Sequence, residues 1–160
     1  MSGGITKWKT FLRGEGLEQV IEHDVVFLTG HYYIHMIENG KQNIKQIFEY
    51  ISERLAYGGI IYNCFAGKDR TGVLTALLLL LCGVSELDVL ADYMVSSVYL
   101  RTRAEILSLS NDYFSSNPEF MEEFLTYFKQ KHKSAEQYLL SVGVSPETMA
   151  NIKKQFIQQL

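Results

Sequence analysis

The chain has 160 residues, 47% of them hydrophobic, with 15 basic side chains against 18 acidic ones and a net charge of -3. That length supports a single domain over residues 1–160 with a sizeable core, and no shift in composition divides it. With no block of positive charge and no apolar run approaching the ~20 residues of a membrane span, neither nucleic acid nor a transmembrane segment is expected.

Residues 5–22 place Trp8, Phe11, Leu12, Leu17, Val20 and Ile21 in a helix-like pattern interrupted by Gly14-Glu15-Gly16, a helical arm in two pieces. Asp24 to Leu28 is a short apolar run, strand or extended loop. From Gly30 the pattern turns helical, with Tyr33, Ile34 and Ile37 on one face, until Asn39-Gly40 breaks it. Ile44, Ile47, Phe48, Ile51 and Leu55 then follow the i, i+3, i+4, i+7 spacing of an amphipathic helix, which Gly58-Gly59 ends. Ile60 to Asn63 reads as a buried strand. A tight loop follows, and the apolar run Val73 to Cys82 belongs to a core helix starting at about Arg70.

Gly83 with Val84 behind it is a helix stop. Ser85 caps the next helix, whose acids face its positive end and whose stripe is Leu87, Leu90, Ala91 and Met94. Asn117-Pro118-Glu119 is a further start signal. Ser134 to Gln137 is a capping box whose helix ends at Gly143, and Ser145-Pro146 opens the last helix, with Met149, Ile152 and Phe156 as its stripe. Tyr32, Tyr33, Tyr93 and Tyr99 read as core residues. Lys129, Lys131, His132 and Lys133 read as a solvated helix end. His31 and His35 stand four apart without a third ligand at a telling spacing, so no metal is expected.

The chemistry lies between Cys64 and Arg70. Backbone N–H groups of a short loop entering a helix converge on one point, where the helix dipole adds partial positive charge, and such a point binds anions. A cysteine in that field ionises more readily than a free thiol. An arginine closing the loop grips two phosphate oxygens with its planar fork. Cys64 and Cys82 make no disulfide framework, no secretory signal stands at Met1 to Gly4, and a reduced cytoplasmic setting suits a thiolate.

The run Asn63-Cys64-Phe65-Ala66-Gly67-Lys68-Asp69-Arg70-Thr71-Gly72 resembles the signature of the cysteine-dependent protein tyrosine phosphatases, in particular the bacterial tyrosine/serine branch. Leu81-Cys82-Gly83-Val84 and Asp92-Tyr93-x-x-Ser96 extend the likeness, which runs from about Tyr33 to Ser145. Asn63 departs from it, standing where the family has histidine and unable to carry a positive charge. The resemblance also implies that a longer N-terminal part of the family fold, with further strands, is missing.

What it implies is an α/β, helix-rich domain with a small central, mostly parallel sheet. It hydrolyses phosphate monoesters on phosphotyrosine or phosphoserine protein, or on a phosphoinositide, through a cysteinyl-phosphate intermediate and without a cofactor. Cys64 would be the nucleophile. Phe65, Ala66, Gly67, Lys68, Asp69 and Arg70 would cradle the phosphate. Thr71 would steady the thiolate, or else satisfy only local backbone. Asp69 would protonate the leaving oxygen, with Asp24 as the alternative acid and an ion-pair brace as the plainer role for Asp69. Lys68 would add a second cation at the rim, or merely be exposed. A phosphate-binding module with weak turnover is the rival reading. Since a lone strand leaves backbone groups unpaired, Asp24 to Leu28, or a second chain in a homodimer or hetero-complex, is expected to complete the sheet.

Overall fold

The computed structural model describes residues 30–64, 66–107 and 116–157, with backbone alone for 101–107. Among them seven helices follow in order: α1 (Gly30–Asn39), α2 (Lys41–Leu55), α3 (Asp69–Leu81), α4 (Glu86–Leu107), α5 (Pro118–His132), α6 (Ala135–Ser141) and α7 (Pro146–Phe156).

The centre is α3. Its sequence is apolar on every side after Gly72, so it cannot lie on a surface, and Val73, Leu74, Ala76, Leu77, Leu78 and Leu81 are all buried. It packs against α1, α4 and α6. Around it, α1 lies along α5, and α2 along α7. Tyr33, Phe48, Leu77, Phe124, Tyr138 and Ile152 meet in one apolar cluster. Gly30 lets α1 and α5 approach, because a Cβ there would collide with the Glu123 side chain.

Polar ties join the helix ends. Tyr138 Oη donates to the carbonyl of Ile37 at 2.8 Å, and Asn151 Nδ2 donates to the carbonyl and hydroxyl oxygens of Ser52. Glu38, at the end of α1, takes hydrogen bonds from Tyr127 and His132 and pairs with Lys131 at 2.9 Å. Lys129 pairs with Glu86 at 3.0 Å. The basic end of α5 is therefore engaged with α1 and α4 rather than simply solvated.

Helix boundaries follow their caps. The side chains of Asn117, Ser134 and Ser145 accept from backbone N–H groups two or three residues on, at the starts of α5, α6 and α7. At the end of α3, Gly83 turns left-handed (φ 83°), its N–H reaches Leu80, and the N–H of Val84 reaches Leu79, which closes off two orphan carbonyls. The Gly143–Val144 pair repeats the pattern on Leu140 and Leu139.

Three expectations need correction. No strand, and hence no central sheet, occurs among the described residues. Residues 60–63 do alternate, with Ile60 and Tyr62 turned to the core and Ile61 96% exposed, but alternation makes a strand only where a second segment pairs with it. Tyr62 Oη is instead tied to Thr75 Oγ1 of α3 at 2.8 Å, so a helix holds the extended segment. The argument for a second chain rested on that sheet and falls with it. Asp24 to Leu28 and the arm at 5–22 lie outside the described residues. Second, α4 buries Val89, Tyr93 and Leu100, while Leu87, Ala91, Met94 and Tyr99 face outward. Third, Phe156 is about half exposed, leaving Met149 and Ile152 as the buried stripe of α7.

Candidate active site

The extended segment 60–63 delivers Cys64 to the N-terminal end of α3, and the loop 64–68 turns into that helix at Asp69. Gly67 makes the turn possible with a left-handed φ of 73°. Asn63 Nδ2 donates to the carbonyl of Cys64 at 3.1 Å, so the asparagine braces the loop entrance through a neutral hydrogen bond.

Thr71 is doubly engaged. Its Oγ1 accepts the N–H of Cys64 at 2.9 Å, which leaves the hydroxyl hydrogen for the sulfur. Burial pushes the Cys64 thiol up, but the hydroxyl and N–H of Thr71, the Arg70 charge and the N–H of Gly67 outweigh it and hold the thiol below its ordinary value. Cys82, half-buried, is pushed up by burial instead. The two cysteines thus differ physically: Cys64 meets hydrogen-bond donors and the Arg70 charge, whereas at Cys82 burial outweighs the Lys153 charge.

Arg70 is half-buried in the first turn of α3, and among the described residues no carboxylate pairs with it. Lys68 is not at an exposed rim. Its side chain is only 3% exposed and its Nζ lies 3.2 Å from Asp69 Oδ1. Asp69 is itself buried and accepts from Tyr33 Oη at 2.7 Å on the same oxygen. The loop aspartate therefore does brace Lys68, and it also meets a tyrosine from another helix. Ala66 packs on Leu100 of α4, and a Cβ on Gly72 would come within 3.1 Å of the Tyr93 ring. The loop is thus walled by α1 on one side and α4 on the other. Phe65 and Asp24 lie outside the described residues.

Sequence reasoning placed Tyr33 and Tyr93 in the core, where they lie, but gave their hydroxyls no role. Tyr33 Oη and Tyr93 Oη lie 2.7 Å apart, and burial together with the Asp69 charge pushes the Tyr33 hydroxyl far above its ordinary value, so it stays a donor. Tyr93 is pushed up to about 12, chiefly by burial. Tyr32, half-buried against the core, has its hydroxyl pushed up by burial and lies within electrostatic reach of Arg70, Asp69 and Cys64. The available signal was a hydroxyl on a buried stripe, where phenylalanine would serve packing alone.

His31 pairs with Glu123 and His35 with Asn39, and no group of three or more His, Cys, Asp or Glu able to hold a metal occurs among the described residues. No helix among them is long and apolar enough to cross a membrane.

Comparison with known proteins places the chain among phosphatases. The chain is 26% identical over 140 residues to a tyrosine-protein phosphatase of Nostoc commune, covering 78% of this chain and 47% of the relative. It is 28% identical over 119 residues to the triple specificity protein phosphatase PtpB of Mycobacterium tuberculosis, covering 74% and 42%. The chain thus spans somewhat less than half the length of these curated relatives. The profile of the tyrosine phosphatase family matches residues 27–158, and the chain belongs to that family.

Proposed function

We propose that this chain hydrolyses phosphate monoesters through a phosphocysteine, as a phosphatase of dual-specificity type. The Cys64 thiolate attacks phosphorus in line; the phosphorus–oxygen bond to the leaving group breaks, and its electron pair goes to the leaving oxygen, which takes a proton from the Asp69 carboxyl. Arg70 and the loop N–H groups hold the equatorial oxygens as charge redistributes. Water, losing a proton to the Asp69 carboxylate, then attacks phosphorus, and the sulfur–phosphorus bond breaks to return the thiolate and release inorganic phosphate.

The observation that carries this reading is Thr71 bridging the Cys64 N–H and sulfur at the first turn of α3, with the thiol held below its ordinary value. A merely buried cysteine has its thiol pushed the other way. For substrate breadth, phosphotyrosine and phosphoserine proteins are proposed together with phosphoinositides. The mycobacterial relative, a triple specificity protein phosphatase, supports breadth on phosphoproteins, while Lys68, buried against Asp69, adds no open cation for a lipid head group.

The test is turnover of 4-nitrophenyl phosphate. Hydrolysis that is blocked by vanadate and falls at least 1000-fold in Cys64→Ser, on the order of the loss of a covalent nucleophile, is the expected result. Vanadate or phosphate binding without turnover would replace the enzyme with a phosphate-binding module.

A further inference from the structure

Asp69 Oδ1 receives two contacts, Lys68 Nζ at 3.2 Å and Tyr33 Oη at 2.7 Å. Tyr33 has one hydroxyl hydrogen. Spent on Asp69, it obliges Tyr93 to be the donor in the 2.7 Å contact between the two hydroxyls. The chain of donors therefore has a direction, from Tyr93 on α4 through Tyr33 on α1 to the first residue of α3. All three residues lie in the interior, where a hydrogen bond to a carboxylate is stronger than in water and its loss leaves a buried oxygen undersupplied. The two rings meet edge to face, 6.1 Å between centroids, and the Tyr33 ring also packs on Phe124, so neither hydroxyl can swing away cheaply. Gly72 belongs to the same device, since any side chain there would press on the Tyr93 ring.

With Oδ1 fixed from two sides, the remaining freedom of the carboxyl, rotation about its Cβ–Cγ bond, is removed and Oδ2 is held in one place. Packing alone would be served equally by phenylalanine at 33 and 93. Two hydroxyls aligned on one loop carboxylate serve orientation.

We infer that Tyr33 and Tyr93 are positioning residues for the leaving-group proton transfer, locking Asp69 through Oδ1 so that Oδ2 faces the scissile oxygen. The inference rests on the reading of Asp69 as the acid. Lys68 and Tyr33 face its carboxylate directly, Tyr93 through Tyr33; Tyr32, Arg70 and Cys64 stand around it.

The experiment compares kcat/KM and KM for 4-nitrophenyl phosphate, a good leaving group, and phenyl phosphate, a poor one, in the whole chain and in Asp69→Asn, Tyr33→Phe, Tyr93→Phe and Asp69→Asn/Tyr33→Phe. Tyr33→Phe is expected to lose about tenfold more kcat/KM on phenyl phosphate than on 4-nitrophenyl phosphate, through kcat with KM held, as losing one charge-assisted hydrogen bond implies. Tyr93→Phe should show the same selectivity more weakly. In the double variant the second substitution should add no further leaving-group dependence, because residues acting through one group are not additive. Equal losses on both substrates in Tyr33→Phe would reduce the tyrosines to packing. Should Tyr33→Phe lose its helical circular dichroism, Tyr93→Phe, which keeps the Tyr33 to Asp69 bond, decides by the same criterion. If Asp69→Asn itself shows no leaving-group dependence, the acid assignment fails and takes this inference with it. If Asp69→Asn shows it and the tyrosine variants do not, the positioning role alone fails.

Discussion

Thr71 carries a burden that its residue type alone does not reveal. With its oxygen on the Cys64 N–H, it presents the hydrogen to the sulfur, so removing the hydroxyl both loosens the loop entrance and withdraws a donor from the thiolate. Thr71→Val is expected to move the pH midpoint of iodoacetamide alkylation at Cys64 upward, toward the ~8.5 of a free thiol, and Thr71→Ser to restore most of it. An unmoved midpoint in the valine variant would show that Arg70 and the backbone suffice. Cys64, Arg70 and Thr71 were legible because the spacing of a short loop before a helix fixes their relation to one another. Tyr33 and Tyr93 were not, because nothing local says which buried hydroxyl will meet which carboxylate. The hydroxyl–carboxylate contact spans 36 residues and the contact between the two hydroxyls spans 60. Lys68 misled for a different reason: its carboxylate partner is the next residue, but a lysine in a glycine-containing loop reads as exposed unless the burial of that partner is known.

At the level of elements, caps were the most legible feature and are the simplest to probe. Gly83 is left-handed and a Cβ there would meet nothing within 4 Å, so Gly83→Ala isolates the backbone cost, about 1–2 kcal/mol, in chemical denaturation. Ser145 accepts from the Thr148 N–H at 3.0 Å, and Ser145→Ala should cost about 1 kcal/mol. If both variants match the parent, these ends are held by packing rather than by their caps. Periodicity failed where a helix is apolar on two sides. On α4, Leu87, Ala91 and Met94 satisfy the helical spacing as well as Val89 and Tyr93 do, and the choice fell to Tyr93, whose ring fills the space against Gly72. The extended segment 60–63 failed differently. Its alternation is present, but pairing is a relation between segments and no local pattern contains it.

The whole molecule stands on α3 and on a small number of ties between distant helices. Leu77, fully buried, has hydrocarbon on all sides, and Leu77→Ala should cost about 2–5 kcal/mol, visible as a lowered urea midpoint. Glu38 ties α1 to α5. Burial pushes its carboxyl up, yet hydrogen bonds from Lys131, His132 and Tyr127 prevail and hold it at about 2 rather than 4.5. A folded-state value below the unfolded one stabilises fully above pH 4.5, and that contribution is lost as the pH falls through about 2. The melting temperatures of the parent and Glu38→Gln should therefore differ most near neutral pH and converge as the pH falls toward 2. A gap that persists at pH 2 would trace the effect to shape rather than charge.

The sulfur-bearing loop leans on Leu100 through Ala66 and on Tyr33 and Tyr93 through Asp69, so its shape is dictated by partners from both halves of the chain. Reactivity at one atom thereby becomes a gauge of cooperativity. During urea titration, accelerated alkylation of Cys64 and helical ellipticity should vanish in a single sigmoid, and a loop that outlived its helices would be a self-sufficient motif.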